Sequence, residues 1–342
     1  MSGAAGIQRQ RRARLTRRLR FLGLCAMLVL ALCALILSLG QSFTPPATVL
    51  RVLGGEAVPG AGFTVLQLRL PRAVVGALAG LSFGMGGAAF QTLLRNPLAS
   101  PDIIGISAGA SAAAVFAITV LGLAGLPVAV VAVTAGLGIA LLIYLLSWRQ
   151  GVAGARLILV GIGLSGMMQS LTAYMLSQAE SWTLQAAMRW MTGSLNGVQL
   201  EQALPLLAAL AICGGVLLIA APALEVMRMG DETAAGLGVR TGAVRAAVVV
   251  AAVGLVAVAT AMVGPVAFVA FLSGPIAARM TGRDGSLLLP AALVGAVLVL
   301  TADYAGQFWL PARYPVGIVT GVLGAPYLLF LIIRSNRTGG GL

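Results

Sequence analysis

The sequence predicts an all-α integral membrane protein with about ten transmembrane helices, and three observations predict it. Only 9% of the 342 residues are charged and 59% are apolar, whereas soluble domains carry roughly 25% charged residues. Ten apolar runs approach the roughly 20 residues needed to cross about 30 Å of hydrocarbon. All 22 basic residues are Arg, and they are distributed unevenly between alternate connections, as the positive-inside rule requires. The mean hydropathy is +1.01.

Residues 1–20 read as a basic cytoplasmic leader, with seven Arg between Arg9 and Arg20. The run at 21–39 is too long for a signal-peptide core and has no small-residue cleavage site after it, so it reads as the first span. Residues 41–68 form an outer connection containing Pro and Gly. Further spans are expected at 73–90, 103–121, 128–146, 157–176, 204–221, 244–263, 266–277, 287–302 and 316–333, within a transmembrane unit of residues 21–334 followed by a tail at 335–342. The run at 266–277 is short and framed by Gly264-Pro265 and Gly274-Pro275, so it reads as a broken or re-entrant piece. Alternating the connections puts 17 Arg on the side of the N-terminus. Five lie opposite: Arg51, Arg69, Arg72, Arg189 and Arg313. Both termini therefore read as cytoplasmic.

Three stretches stand out for function. A helix through Gly76, Gly80, Gly84 and Gly87 leads to Gln91, after which Pro97 and Pro101 forbid its continuation. Asn96 and Ser100 precede those prolines and can satisfy freed amides. Such a polar break is tolerable at membrane depth only under protein cover or along a water-filled path, so Gln91, Asn96 and Pro97 are candidates for a translocation path. The span at 157–176 holds Gly161, Gly163, Ser165, Gly166, Met167, Met168 and Gln169. Its small residues suit close helix packing, while Met167, Met168 and Gln169 suit a path wall. The loop at 225–245 reads as a short helix that starts at Asp231 and Glu232 and is closed by Gly236 and Gly238. Its ridge of Ala234, Leu237 and Val239 belongs either to a solvated loop or to a knob for a partner's groove.

Several chemistries lack their residues. There is no Lys and no His, hence no phosphate-binding G-x-x-x-x-G-K-[ST] loop and no imidazole base or ligand. No catalytic residue and no metal set is found, and Cys25, Cys33 and Cys213 have no ligand-like spacing. Asp102 and Asp303 sit at expected helix ends, which suits local capping, with a functional role as the alternative. The net charge of +13 does not point to nucleic acid, because the leader Arg precede an apolar run. They set topology or meet anionic membrane lipid.

Taken in order, the motifs are Leu68-Arg-Leu-Pro-Arg72, Gly80 to Gly87 with Gln91, and Arg95-Asn-Pro-Leu-Ala99 with Pro101 and Gly105. Arg189-Trp190 with Gly193-Ser-Leu195, Gly230 to Val239, and Gly264-Pro-Val-Ala-Phe-Val-Ala270 follow. Ala302-Asp303 and Pro315-Val-Gly-Ile-Val-Thr320 with Gly324-Ala-Pro326 complete the set. This collinear series resembles the FecCD-type permeases, membrane subunits of ATP-driven importers for iron-siderophores, haem and cobalamin. Gly274-Pro275 departs from that family's usual Pro-His, and Gln307 stands where some members have Arg.

The resemblance implies a type II ABC importer permease in the bacterial cytoplasmic (inner) membrane. It also implies a second permease subunit, identical or homologous, and ABC ATPase subunits that hold the ATP and Mg, with no cofactor bound by this chain. An extracytoplasmic binding protein, a lipoprotein or a periplasmic protein, would deliver the cargo. Residues carried over as ATPase-coupling are Gly230, Asp231, Glu232, Thr233, Ala234, Leu237, Gly238 and Val239; as binding-protein docking, Arg69, Arg72 and Arg313. The wording is most similar to ferric enterobactin-type permeases, so the implied cargo is a ferric siderophore, with cobalamin or haem as alternatives. The rival class, an ion-coupled secondary transporter, needs a mid-span charge that the sequence does not clearly offer.

Overall fold

The computed structural model describes residues 2–100, 105–147, 154–282 and 285–337, and among these there is no strand. Helix α1 (Ser2–Ser38) runs unbroken through the arginine leader and the first apolar run. Neither Pro nor Gly stands between Gln8 and Leu22 to divide them. The end of the bundle that carries this leader is called the leader end below, and the other the far end. In the outer connection, α2 (Pro46–Leu53) opens on a proline in its first turn and buries Val49 and Val52 against Val65.

A π-helical turn at Thr64–Arg69 then feeds α3 (Leu70–Leu93), the central helix. In its hydrocarbon-length window 78% of residues are buried, against 17% in α6, so α3 meets protein on nearly every side. Its glycine face explains how. A Cβ on Gly80 would lie 2.5 Å from Ala296 Cα, on Gly84 2.2 Å from Ala291 O, and on Gly87 1.9 Å from Ala270 O. Lipid tails are as apolar as Leu, so helices in a membrane gain little from hydrophobicity alone. Backbone-to-backbone approach across small residues is what holds them.

The chain continues through α4 (Ile106–Thr119), α5 (Leu126–Ser147), α6 (Gly154–Gln178) and the short far-end helix α7 (Ser181–Met191). Helices α8 (Ala203–Ala209) and α9 (Gly215–Met227) join through a π-helical turn at Leu210–Gly214 into one apolar rod. After α10 (Asp231–Gly236) come α11 (Thr241–Val263), α12 (Val269–Thr281), α13 (Leu288–Phe308) and α14 (Val316–Arg337). Helices α11, α12 and α13 surround α3, and α13 also lies along α1.

Among the described residues, seven helical runs are long and apolar enough to cross a membrane, while α4, α12 and the apolar part of α14 fall short. Seven of the ten expected spans fall on these long runs, and the other three on the shorter α4, α12 and α14. Helix α12 has 13 residues, or roughly 20 Å at 1.5 Å per residue. It is short at its start rather than at its end. Gly264 (φ 75) and Phe268 (φ 63) turn the chain out of α11, and α12 then runs straight through Gly274-Pro275 to Thr281. The sequence reading framed the piece with that dipeptide, and a residue of α3, 180 positions from the carbonyl it serves, explains why the helix survives it.

Candidate functional site

That residue is Gln91. Pro275 has no amide to donate to the carbonyl four residues earlier, that of Phe271, and an unpaired buried carbonyl is costly. Gln91 Nε2 donates to Phe271 O at 2.9 Å. Gly274 leaves the room, since a Cβ there would lie 1.9 Å from Gln91 Oε1. Gln91, 8% exposed, therefore ties α3 to α12.

Just beyond it, Asn96 behaves as its place before Pro97 predicts: Leu98 N donates to Asn96 Oδ1 at 2.8 Å. Asn96 N donates to Gln91 O at 3.1 Å and Arg95 N to Thr92 O at 3.3 Å, which closes α3 in a Schellman motif. The left-handed position of that motif normally takes Gly. Here it is Arg95, with φ 52, a conformation that costs an L-residue roughly 1–2 kcal/mol. Pro97 is exposed. Part of the Pro101-to-Gly105 motif, residues 101–104 with Asp102, lies outside the described residues. Helix α4 begins at Gly105 (φ 100), whose Cβ would meet Ser165 Oγ at 2.4 Å and Gly161 O at 3.1 Å, so those two residues of α6 serve close packing, whereas Gly163 and Gly166 face open space. Further along α6, Met167 and Gln169 are exposed and Met168 packs inward.

At the leader end, Arg17 Nη2 donates to Met280 O at 2.9 Å and Arg18 donates to Ser286 O. The 225–245 loop forms the short helix α10 between Gly230 (φ 117) and Gly238 (φ 86). Val239 N to Ala234 O (3.0 Å) and Gly238 N to Ala235 O (2.9 Å) close it in the same Schellman pattern as α3, this time with the expected glycine. The expected ridge is split. Ala234 is fully buried in the core, and the turn at Gly238 sends Val239 back towards it. Leu237 alone of the three projects, at 63% exposure, with Met229 also exposed nearby in sequence. Glu232 and Thr233 face solvent. Asp231 binds both Arg95, at the end of α3, and Arg245 of α11.

At the far end the three arginines differ. Arg69 is 7% exposed. The π-helical turn before α3 adds a residue to the helical phase, which turns side chains by roughly 100° and carries Arg69 inward. Its guanidinium donates to Leu37 O (2.9 Å), Ser38 O (3.0 Å), Ser42 O (2.6 Å) and Thr44 Oγ1 (3.2 Å), tying α1 to the outer connection. Arg72 pairs with Asp303, Nη2 to Oδ1 at 2.7 Å, and also donates to Asn196 Oδ1 at 3.0 Å, which Gln307 Nε2 reaches at 3.3 Å. Arg313 is exposed.

Asp303 is not a local cap. Helix α13 continues to Phe308, which places the carboxylate inside the helix and against α3. The sequence reading singled out neither Asn196 nor Gln307 for this network. Several separated motifs converge around it. Ser194 N donates to Val263 O (2.7 Å), Gly317 N donates to Gly193 O (3.1 Å), and Leu195 packs against Gly76. Trp190 packs on the core, whereas Trp182 is exposed.

Comparison with known proteins agrees with this architecture. The sequence profile of the FecCD transport family matches residues 27–334. The achromobactin transport system permease of Dickeya dadantii (strain 3937) is 37% identical over 321 residues, covering 92% of this chain and 91% of the relative. The ferric enterobactin permease of Escherichia coli (strain K12) is 37% identical over 84% of this chain and 88% of its own length. The Fe(3+)-citrate import permease of Bacillus subtilis (strain 168) is 36% identical over 92% and 96%. A solved metal-chelate type ABC transporter in an inward-facing conformation shares the fold, with a TM-score of 0.80 at 24% identity over 93% of this chain and 99% of that one.

Proposed function

The chain belongs to the FecCD transport family, and on that premise we propose that it carries a ferric siderophore across the bacterial cytoplasmic membrane as the permease subunit of an ABC importer. The observation that carries this reading is the match, over 92% and 84% of this chain, to two transport-system permeases at 37% identity. Those relatives are named for achromobactin and enterobactin, and the third for ferric citrate. Their agreement supports a ferric chelate as the class of cargo.

The energy comes from elsewhere, because the chain has no Lys for a phosphate loop. In this reading ABC ATPase subunits hold ATP and Mg and grip the leader end at α10, where Leu237 and Met229 are the large exposed apolar side chains of the segment. A second permease copy or homologue covers the exposed side of α6, which brings Met167 and Gln169 to a path between subunits. A binding protein docks at the far end. There Arg313 is the direct electrostatic contact, and Arg69 and Arg72 shape the surface from within, since both are engaged inside the chain.

The test is purification of the tagged protein in mild detergent, with copurifying proteins identified and ATP hydrolysis assayed. Uptake of radioiron is measured in parallel in cells lacking the gene and complemented with it, supplied with iron in their own iron-starved spent medium. An ATPase that copurifies with wild type and is lost with Leu237→Asp, together with gene-dependent iron uptake, is the expected result. A protein that emerges alone and indifferent to ATP removes the importer reading.

A further inference from the structure

We infer that Asp231 is a positioning residue that couples α10 to the central helix, through Arg95 at the end of α3 and Arg245 in α11, so that movement of α10 is delivered to the end of α3 and the Asn96-Pro97 turn that follows it. This rests on the coupling role proposed for α10. It also changes the part that Asp231 plays there, from a surface offered to the ATPase to a joint inside the permease.

Three observations carry it. The first is that one carboxylate serves two guanidiniums from different elements. Both oxygens are engaged, Oδ1 with Arg95 and Oδ2 with Arg245, which orients the carboxylate as a single pair would not. The second is where the joint lies. Asp231 and Arg95 are 41% and 42% exposed, and at such exposure an ion pair adds little to stability. A contact that holds direction without deep burial can move without breaking a core.

The third is the backbone at Arg95. Helices α3 and α10 end in the same Schellman motif, and α10 fills its left-handed position with Gly238. Helix α3 fills it with Arg95, a residue type that the conformation disfavours. The motif alone gains nothing from an arginine. The side chain does, because it reaches Asp231.

The consequence for motion follows from the packing. Helix α3 is clamped by backbone approach at Gly80, Gly84 and Gly87, so it resists sliding. The nearest exposed backbone beyond that clamp is the turn at Arg95 to Pro97, in which Arg95 and Pro97 are exposed. On the other side of that connection, α4 starts at Gly105 seated against Gly161 and Ser165 of α6.

Arg95→Gly separates a transmitting role from a structural one. It relieves the left-handed strain and keeps the helix end, so the melting temperature should hold or rise. Transport per ATP hydrolysed, taken as radioiron uptake in complemented cells against ATPase activity of the purified complex, should fall at least fivefold. Asp231→Asn, a near-isosteric neutral change, should do the same with the ATPase still bound. Arg240→Gln, which removes a neighbouring exposed charge, should stay within about twofold of wild type. If Arg95→Gly yields no complex, Asp231→Asn decides alone by the same ratio. An unchanged ratio overturns the inference. So does loss of the ATPase from the Asp231→Asn complex, which makes Asp231 a docking residue. Retention of the ATPase by Leu237→Asp is a different failure, that of the coupling role itself.

Discussion

The two ends of the bundle each carry an aspartate bound to arginine, and they are built in opposite ways. At the far end the Asp303 side chain is 2% exposed and meets an Arg72 that is 19% exposed, in a network with Asn196 and Gln307. At the leader end Asp231 lies open between Arg95 and Arg245. Breaking a buried pair strands a charge in a medium that cannot solvate it and costs roughly 3–5 kcal/mol, whereas exposed pairs contribute about 0–1 kcal/mol. The same two residue types therefore make an anchor at one end and an adjustable joint at the other. Burial, not residue identity, separates them.

The hardest test of that contrast is Asp303→Ala. With Arg72 left unpaired it should lose about 3–5 kcal/mol, seen as a large fall in melting temperature in detergent. An effect no larger than that of Asp231→Asn would erase the distinction between the ends.

A second comparison exchanges backbone for charge. Gly193 at the far end has φ 65, and a Cβ there would lie 2.3 Å from Pro265 O. Gly193→Ala adds left-handed strain to overpacking and should cost about 2–4 kcal/mol. Gly238 at the leader end has φ 86 but open space around its Cβ, so Gly238→Ala should cost only about 1–2 kcal/mol. Parallel thermal melts decide whether the far end is the tighter of the two.

Gln91→Leu lies between the ends and asks whether a buried carbonyl needs its donor. Phe271 O loses its partner, and the expected loss is about 1–3 kcal/mol by thermal melt. A Gly274→Ala variant should be destabilised as well, because its methyl needs the space that Gln91 fills. The smallest effect on stability is expected from Arg313→Glu. The side chain is exposed, so the melting temperature should not move, while association with the binding protein should slow most at low ionic strength. If stability falls instead, Arg313 belongs to the far-end scaffold.

Much of the fold was legible in the sequence because its causes are local. The leader arginines, the short piece between α11 and α13, and the ending of α10 at glycine each follow from a few neighbouring residues. Asn96 satisfied an amide two residues on, as its place before Pro97 required. The functional residues were harder to read. Arg69 counts as an outer arginine by position along the chain, yet a π-helical turn rotates it into the protein. Ala234 and Leu237 look like one ridge at helical spacing, but a six-residue helix seated on the core shows one to solvent and buries the other.

What the sequence determined by itself was the solvent and the traffic of the chain: which runs enter lipid, where helices must stop, and which family's order of motifs they follow. Those depend on summed transfer energies and on Pro and Gly geometry, and both are properties of short windows. Only the tertiary structure decided that Arg72 meets Asp303 across 231 residues and that Gln91 completes a carbonyl 180 residues away. Only it decided that Asp231 is shared by two helices. A polar group in a membrane protein must find a partner wherever the fold brings one. Which one it finds is set by how closely glycine-faced helices approach, and no single stretch of sequence records that.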